Sequence, residues 1–463
     1  MGAHLESQLR RLVGRIDDPQ VVADLVLHRL AERIRYYKGW GTYVWDGHKW
    51  RLLIGGHPND WSSKHWDTLV RDYVVPTLKR IVVDLKRFSY LQQSIFLSER
   101  LSDKTWIANL SRIVVSKGWL APDDCEDIKI VRPHKDILNT EGFLPLTNGI
   151  MSLYDLKMYP YPLNNDLFFP YILKQKFDPS VFSPFAIDPV FFTGLQALVS
   201  NIDIRASLSN IYPSPEPQAP VFFRLLEALC GGNAMLGDYL QVALGSALTG
   251  SGLPRKIFVL YGRNLEPINI ILKVVANILG EYALQVTYHA FQTSEERFIV
   301  DVMKNMNFKR MIYSLNFPHN EIIHSEVVGL FCLYNNFDLG SGSDLHVTVT
   351  MANTFITMAT FPKVGGDLDV DVFFKYVYII PFTRKPSNTS VFRYNLERAL
   401  MKEARGILHW LIIGAFKYIY SPMFLASDIG IFGEAKRLKD MWIEKTKKPL
   451  PTRMGQTQNK NRL

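Results

Sequence analysis

One stretch of the sequence has the order of elements in which phosphate-binding loops occur. An apolar run of strand length, KIFVLY, covers residues 256–261, and helical periodicity follows from Pro267 to Leu279. Gly262 begins the loop between them. In a working site of this kind, loop amides and the helix N-terminus hold the phosphates, a lysine neutralises them, and a Ser or Thr hydroxyl binds magnesium. Any nucleotide chemistry of this chain is therefore expected in this segment.

The loop lacks the groups that this chemistry requires. Pro267 takes the position of the last glycine, Ile268 that of the lysine, and Asn269 that of the hydroxyl. Ile268 has no charge to pair with a phosphate, and the carboxylate of Glu266 repels one. Proline suits a first helical turn, so the local fold can persist without the site. The sequence therefore predicts a degenerate nucleotide loop at Gly262, Pro267, Ile268 and Asn269.

Strands alternate with helices after residue 250, which indicates an α/β domain around a mostly parallel central sheet. Three further short runs of β-branched or aromatic residues, Arg310–Tyr313, Leu345–Thr350 and Tyr376–Ile380, are predicted strands. Ahead of them, Phe222–Leu248 has helical periodicity with a glycine break. The loop that begins at Gly262 therefore belongs to this predicted α/β domain.

The first half of the chain combines helices with small β elements. Residues 1–38 and Trp66–Leu101 have helical periodicity. Asp46-Gly47 lies between aromatic runs and predicts a hairpin with a type I′ turn within Gly39–Leu53, and Asn148-Gly149 predicts a second hairpin. Aromatic side chains alternate with cations in the first hairpin. That pattern fits either a hairpin with one packed and one solvated face or a surface that stacks on a single nucleic-acid strand.

The composition excludes several classes of protein. With 47% hydrophobic and 21% charged residues in 463, the chain is a folded protein of several structural units. Its three cysteines are too far apart for a CxxC metal site or a disulfide framework, and no histidine pair has metal-site spacing, so no metal site is predicted.

The alternating acids of residues 367–371 are either magnesium ligands on a strand face or a solvated edge or loop. Ile407–Tyr420 is too short to span a bilayer and is predicted to be a buried helix.

Positive charge is concentrated at the end of the sequence. The net charge is +9, and from residue 436 onward nine Lys and Arg residues accompany only two acids. A flexible basic tail over residues 433–463 either binds DNA or RNA phosphates by counterion release or serves solubility, and the sequence leaves both open. The residues predicted to contact nucleic acid are Lys436, Arg437, Lys439, Lys445, Lys447, Lys448 and Arg453.

The order of these motifs resembles the superfamily 3 helicase half of the viral, poxvirus- and phage-type primase-helicase family. The resemblance begins with GWGTYVWDGHKW at Gly39 and continues through FLPLTNGIMSLYDLKMYP and LKQKFDPS. It then includes LQVALGSALTGSGLPRKIFVLYGR, NILGEYALQV, NFKRMIYSLN and HVTVTMAN, and it ends with YVYIIPF and GILHWLIIGAFKYI. Residues 30–425 are covered in this way.

The resemblance places most of the family's catalytic groups on unsuitable residues. The Walker A Gly-Lys-Ser/Thr falls on Pro267-Ile268-Asn269, the Walker B acid on Leu315, and the arginine finger on Lys375-Tyr376. The polar sensor at the end of the fourth strand persists as Asn353. Because phosphoryl transfer depends on positioning and charge stabilisation by such groups, the resemblance implies no catalytic residue and no bound ATP or magnesium.

The expected fold class is an α/β ATPase-like core of the AAA+, superfamily 3 helicase type. A mainly helical plus small-β N-terminal region precedes it, and a helical C-terminal region follows. The predicted regions are 1–140, helical with a β-hairpin at 39–53; 141–215, small α/β with a Pro-rich linker; 216–400, the degenerate core; 401–432, a helical closing region; and 433–463, the basic tail.

Three functions are compatible with such a chain. The preferred hypothesis is a catalytically inactive helicase-like protein of a virus or mobile element, an oligomeric scaffold or accessory subunit in DNA replication or nucleic-acid handling. Because the family forms hexameric rings, the resemblance implies a homo-oligomer or a mixed ring with a related active subunit. The alternatives are an active replicative helicase that uses ATP and magnesium through another nearby cation, and a virion structural or packaging component. The expected location is the host cytoplasm or nucleus, or the virion, without a membrane partner.

Overall fold

The computed structural model of the chain describes residues 9–10, 13–30, 33–37, 41–54, 61–120, 140–161, 167, 169–178, 218–250, 255–292, 305–327, 331–332, 336–338, 347–349, 352–366, 369–383, 395–420 and 432–447. The chain divides into two compact units, one of residues 1–179 with 336–349 and the other of residues 180–335 with 350–463. The fold is mixed α/β, with many helices and a parallel sheet, and it is compatible with an α/β ATPase-like fold. The bounds of the five predicted regions remain predictions.

The first unit has a helical core built from amphipathic segments. Its helices are α1 (Pro19–Leu30), α2 (Ser63–Leu69), α3 (Val75–Arg87), α4 (Leu91–Arg100) and α5 (Lys104–Leu120), with a π-helical turn at Val70–Val74. Apolar residues at helical spacing on α3, namely Leu78, Ile81 and Leu85, are buried in one cluster with Val22 of α1 and Leu110 of α5. Burial of each such side chain contributes about 1.5–3 kcal/mol. The helical prediction for residues 66–101 is confirmed.

An antiparallel sheet of three strands completes this part of the first unit. Its strands, in spatial order, are β1 (Ile34–Tyr37), β2 (Gly41–Trp45) and β3 (Trp50–Ile54). The predicted helix over residues 1–38 is therefore wrong at its end, because residues 34–37 pair with β2. The β2–β3 hairpin is confirmed, but its turn is not the predicted type I′. Strand pairing ends at Trp45 and Trp50, so the loop has four residues. Within it the Asp46 carboxylate accepts hydrogen bonds from the backbone N–H groups of His48 and Lys49 at 3.0 and 2.9 Å.

The aromatic side chains of this hairpin are packed together. Trp50 is 1% exposed, and the guanidinium carbon of Arg35 lies 4.4 Å from the centre of its ring. Trp45 packs against Trp50 with ring centres 5.6 Å apart, and Tyr43 is also buried. These contacts favour the packing alternative over nucleic-acid stacking. Trp40 lies outside the described residues.

The second predicted hairpin is also present in the first unit. Strands β4 (Phe143–Leu146), β5 (Gly149–Ser152) and β6 (Met158–Tyr159) form an antiparallel sheet in that order. The side chain of Asn148, in the turn between β4 and β5, donates to the carbonyl O of Phe177 at 2.7 Å and accepts from its N–H at 3.2 Å. This pair of bonds fixes the turn against the following chain.

The second unit is built on a parallel sheet of five strands. Their spatial order is β15 (Val377–Phe382), β7 (Ile257–Gly262), β13 (Asn353–Met358), β9 (Met311–Ser314) and β8 (Ala283–Gln285). All pairings in this sheet are parallel. A sheet covered on both faces requires nearly continuous apolar strands, and β7 and β13 are buried along almost their whole length. The predicted strands near residues 256, 310 and 376 are confirmed.

The predicted strand over residues 345–350 is present, but it lies outside the central sheet. Val347–Val349, within the predicted strand Leu345–Thr350, is β12, and it pairs antiparallel with β11 (Asn336–Asp338) outside the central sheet. The strand between β7 and β9 is instead β13. Both segments are rich in β-branched residues, so their local pattern does not decide which one joins the sheet. A further parallel pair is formed by β10 (Ile322–His324) and β14 (Lys363–Gly365).

Two helices of the second unit cross in backbone contact. The helices are α6 (Pro220–Cys230), α7 (Ala234–Thr249), α8 (Glu266–Leu279), α9 (Val370–Lys375), α10 (Leu396–Lys402), α11 (Ala404–Tyr420) and α12 (Phe432–Lys447). A Cβ on Gly245 of α7 would lie 2.3 Å from the backbone N of Ala415, and a Cβ on Gly414 of α11 would lie 2.1 Å from the carbonyl O of Gln241. Only glycine permits this approach. The predicted buried helix over residues 407–420 is confirmed. Among the described helices, none has the length and apolar character needed to cross a bilayer.

Helix α12 corrects the prediction of a flexible tail that begins at residue 433. Trp442 is fully buried, its ring is stacked on Phe361 with centres 4.8 Å apart, and its Nε1 donates to the carbonyl O of Pro362 at 2.7 Å. Leu438 and Trp442, one turn apart, give the basic segment an apolar stripe that holds it against the rest of the unit. Residues 448–463 of the predicted tail lie outside the described residues.

Candidate functional site

The carboxyl ends of the parallel strands meet at one edge of the sheet, and the predicted nucleotide loop lies at this edge. Strand β7 ends at Gly262 and helix α8 begins at Glu266. The strands on both sides of β7, β15 and β13, come from later parts of the chain. In open parallel sheets, ligands bind outside the carboxyl ends where the strand order reverses. The residues at this edge are therefore the candidate functional site.

Ile268, at the position of the phosphate-binding lysine, is buried in the site. Its side chain is 1% exposed. A Cβ placed on Gly262 would lie 3.1 Å from Cδ1 of Ile268 and 3.1 Å from the carbonyl O of Phe382, at the end of β15. Ile268 thus packs against the end of β7, and Gly262 has room for little more than a hydrogen. Arg263 and Glu266 are exposed, so the loop surface presents one charge of each sign.

Three neutral polar side chains form a hydrogen-bonded cluster at the same edge. The side-chain N–H of Asn269 donates to Oδ1 of Asn316 at 2.8 Å, and the Thr357 hydroxyl donates to Oδ1 of Asn269 at 2.7 Å. The same hydroxyl accepts a hydrogen bond from the backbone N–H of Asn316 at 2.8 Å. We call these three residues the Asn–Thr cluster. Their polar groups bind one another and carry no charge, so the cluster offers magnesium no carboxylate ligand.

After β9, the residue that makes polar contacts in the site is Asn316, one residue beyond the predicted position Leu315. Leu315, the predicted degenerate Walker B position, is half-buried and makes no polar side-chain contact by its chemistry. The next residue, Asn316, has a left-handed backbone with φ of 57°, a conformation that asparagine tolerates better than most residues. Asn316 is the residue that reaches Asn269 and Thr357. With either residue in this position, the strand ends without an acid.

Asn353 lies at the amino end of a strand and not at the carboxyl end where a polar sensor was predicted. The structure therefore corrects that prediction. It is the first residue of β13, at the amino edge of the sheet and away from the loop after β7. Its side chain is fully buried, where Oδ1 accepts from the backbone N–H of Lys256 at 2.9 Å and Nδ2 donates to Oγ of Ser246 at 2.8 Å. Asn353 therefore joins β13, the start of β7 and α7. Thr357, near the other end of β13, is the polar residue that reaches the site.

Lys375 and Tyr376, at the predicted arginine-finger position, also lie at the amino edge. Helix α9 ends at Lys375, and β15 begins at Val377 beside Ile257, the first residue of β7. The carbonyl O of Tyr376 accepts a hydrogen bond from the N–H of Ile257 at 3.0 Å. Lys375 is exposed, with Nζ 5.9 Å from the centre of the Tyr376 ring. Neither residue is near the nucleotide loop of its own chain.

The basic residues predicted to bind nucleic acid have different surroundings. Lys439 and Lys445 of α12 donate hydrogen bonds to backbone carbonyl groups, and Nζ of Lys447 lies 3.9 Å from the carboxylate of Asp371. These three contacts tie α12 to its own unit. The remaining predicted residues are Lys436 and Arg437, which are exposed, and Lys448 and Arg453, which lie outside the described residues.

The alternating acids near residue 369 have a structural role in part. The Asp369 carboxylate accepts a hydrogen bond from the N–H of Asp371 at 2.9 Å and caps the start of α9. Asp367 lies outside the described residues. Within the part of the chain that the structure describes, no group of three or more His, Cys, Asp or Glu side chains is arranged to hold a metal ion.

Comparison with known proteins finds distant structural similarity. No family model matches the chain, and no curated protein matches it. Two apo structures of the C-terminal region of NrS-1 are similar to it, each with a TM-score of 0.36, at 11% and 10% sequence identity. Each covers 50% of this chain, and the chain spans 51% and 52% of those structures. A TM-score of this size does not define a fold, which the strand order of the sheet describes directly.

Proposed function

We propose that this chain is a catalytically inactive helicase-like protein of a virus or mobile element. In this proposal it acts as an oligomeric scaffold or accessory subunit in DNA replication or nucleic-acid handling. The order of its motifs, which resembles that of superfamily 3 helicases, supports the helicase-like part. The parallel sheet with a loop and helix after β7 supplies the framework in which such a site would be built.

The observation that carries the proposal is the chemistry at the carboxyl edge of the sheet. The lysine position holds Ile268, whose side chain is packed against Gly262 and is 1% exposed. The hydroxyl position holds Asn269 and the predicted acid position holds Leu315. Asn269 is bound to Asn316 and Thr357, which are also neutral. Transition-state stabilisation in phosphoryl transfer comes from a lysine, a metal held by acids, and a positioned water. The loss of these groups supports a role that does not require ATP hydrolysis.

The experiment that tests the proposal measures nucleotide binding and hydrolysis by the purified chain. We expect no saturable binding of a fluorescent ATP analogue with magnesium. We also expect no phosphate release above that of heat-denatured protein, with or without single-stranded DNA. Ile268→Lys restores the charge that a phosphate loop uses. Asn277→Lys adds the same charge at an exposed position of the same helix and is the matched control.

The variants separate a lost site from a hidden one. Gain of nucleotide binding by Ile268→Lys alone would show that the loop still has the shape of a phosphate cradle and lacks its charge. Because a lysine at a buried position costs several kcal/mol, a thermal melt must first show that this variant is folded. Phosphate release by the unmodified chain well above the denatured control contradicts the proposal and favours an active helicase.

A further inference from the structure

Helix α3, Val75–Arg87, has two faces of opposite character. Its apolar face is part of the core of the first unit, with Leu78, Ile81 and Leu85 fully buried. At 100° per residue, the exposed positions opposite this face occupy about 120° of the helix circumference. We call these positions the basic stripe; they are Lys79, Arg80, Lys86 and Arg87, with Val83 between them. Val83 is 63% exposed, so the centre of the stripe is an accessible aliphatic side chain.

The charges of the basic stripe are not compensated by acids in the described part of the chain. No ion pair among the described residues involves any of its four cations. Five other cations of the same unit are each paired with an aspartate: Arg15 with Asp18, Arg29 with Asp84, Arg71 with Asp72, Arg100 with Asp103, and Lys117 with Asp24. The only acid of α3, Asp84, is thus bound to Arg29 of α1, at 3.1 Å, and to none of the stripe's cations. Four positive charges are left together on one exposed surface.

Two kinds of polyanion attract exposed cations, an anionic lipid surface and a nucleic acid, and the chemistry of the basic stripe favours the nucleic acid. A helix that lies in a lipid surface inserts its apolar face into the acyl region, but the apolar face of α3 is already buried in the protein core. The stripe has only Val83 to offer a membrane. A nucleic-acid backbone requires only exposed cations at the spacing of phosphates. Lys79 and Lys86 are separated by about 10 Å along the helix axis, the length of about three phosphates at roughly 3.4 Å per nucleotide in a duplex strand.

We propose that the basic stripe of α3 binds the phosphate backbone of a nucleic acid without reading its sequence. The inference rests on the proposed role in nucleic-acid handling and assigns it to the helical first unit rather than to α12 of the second. It does not depend on the state of the nucleotide loop, so binding is measured without ATP. The effect of the stripe substitutions on nucleic-acid binding and the hydrolysis of ATP by the chain are therefore independent results.

The test compares two variants with the same change in charge. The stripe variant carries Lys79→Gln, Arg80→Gln, Lys86→Gln and Arg87→Gln. The control variant carries Arg51→Gln, Lys64→Gln, Lys104→Gln and Arg112→Gln, four exposed cations on β3, α2 and α5 of the same unit. Fluorescence anisotropy with a single strand and a duplex of about 30 nucleotides, titrated from about 50 to 200 mM salt, gives the affinity and its salt dependence.

We expect the stripe variant to bind at least about 10-fold more weakly than the unmodified chain near 0.1 M salt, with the slope of log K against log salt reduced by about 3 to 4. The control variant should retain its slope and its affinity within about 2-fold. Both variants should melt at the temperature of the unmodified chain, because all eight side chains are exposed. Comparison of the single strand with the duplex shows which form the stripe prefers.

Three results would overturn the inference. Equal loss in both variants would mean that binding follows the total charge and has no location on α3. Absence of binding by the unmodified chain at the lowest salt would remove the interaction altogether. Loss of binding to vesicles of anionic phospholipid in the stripe variant, with nucleic-acid binding unchanged, would assign the stripe to a lipid surface.

Discussion

Replacement of Trp442 by alanine is predicted to release helix α12, Phe432–Lys447, from the second unit. Trp442 is fully buried, and its indole packs on Phe361 at 4.8 Å and Phe374 at 5.1 Å between ring centres. Its Nε1 donates to the carbonyl O of Pro362 at 2.7 Å. Trp442→Ala removes the ring contacts and the hydrogen bond together, and it leaves a cavity at the base of the helix.

The magnitude follows from what remains to hold the helix. A buried Trp→Ala substitution costs about 3–5 kcal/mol, of which the lost hydrogen bond is about 1 kcal/mol. Two other polar contacts of α12 are long: Lys439 Nζ to Val377 O at 3.4 Å, and the N–H of Val364 to Oγ1 of Thr446 at 3.4 Å. Lys445 also donates to the carbonyl O of Phe361, and the Thr383 hydroxyl donates to the carboxylate of Glu434 at an exposed site. Hydrogen bonds of these kinds contribute about 0.5–3 kcal/mol each, the larger values for charged groups, and no other described contact of the helix combines ring packing with full burial as Trp442 does. The helix should therefore open locally before the parallel sheet unfolds.

Hydrogen exchange is the assay, because it measures opening of α12 separately from the sheet. We expect amides of residues 435–446 to exchange about 100-fold faster or more in Trp442→Ala, with exchange in β7 and β13 unchanged. Met441→Ala, at the adjacent residue that is 50% exposed, is the control and should exchange like the unmodified chain. Equal exchange in the two variants would refute the anchoring role of Trp442 and restore the prediction of a loosely held basic tail.

Two further predictions concern the core of the second unit. Gly414→Val places side-chain atoms against the backbone of α7, since even a Cβ would lie 2.1 Å from the carbonyl O of Gln241, and should lower the free energy of unfolding by about 3 kcal/mol or more. Gly433→Val, where a Cβ meets nothing within 4 Å, should change it by less than about 0.5 kcal/mol; equal denaturation midpoints would contradict the crossing. Burial lowers the pKa of His409 to about 4 from its ordinary 6.5. Between these two pKa values the imidazole is protonated in the unfolded chain and neutral in the folded chain. The free energy of unfolding is therefore highest above pH 6.5 and decreases as the pH falls towards 4, by up to about 3 kcal/mol. Unfolding measured across this range should lose that dependence in His409→Gln and keep it in His65→Gln; the same pH profile in both variants would show that His409 is not the group responsible.

Individual strands of the parallel sheet were predictable where their own residues form a pattern typical of buried strands. KIFVLY and YVYII are continuous runs of β-branched, aromatic and large apolar residues, which is typical of strands buried on both faces. Strand β13, which lies beside β7, was not predicted, because residues 353–358 follow closely on the run at residues 345–350 and have a similar local pattern. The pairing of β13 with β7 depends on contacts about 100 residues apart in sequence, among them the bond from Lys256 to Asn353. Periodicity within a short window contains no information about such contacts.

The candidate site was predictable only as a set of missing groups. The motif positions expected to hold glycine, lysine and a hydroxyl hold Pro267, Ile268 and Asn269, and the motif includes no position that corresponds to Asn316 or Thr357. The Asn–Thr cluster consists of residues that are common in turns and strands, and it arises only when the ends of β9, β13 and α8 are brought together. Helix α12 was missed for a related reason. The nine Lys and Arg residues from residue 436 onward, against two acids, dominated the pattern, whereas the stability of α12 comes from Trp442 and partners about 80 residues away.

The cations that are available to bind a polyanion differ from those predicted from the sequence. Three of the cations assigned to a loose tail, Lys439, Lys445 and Lys447, bind carbonyl oxygens or a carboxylate of their own unit. The four cations of the basic stripe are exposed on a helix whose other face is fixed in the core, so their geometry is set before any ligand arrives. A preformed surface of this kind loses less conformational entropy on binding than a tail does. Because the stripe and the nucleotide loop belong to different units, a chain that binds nucleic acid without hydrolysing ATP would support both proposals. A chain that binds nucleic acid and hydrolyses ATP would support the stripe alone.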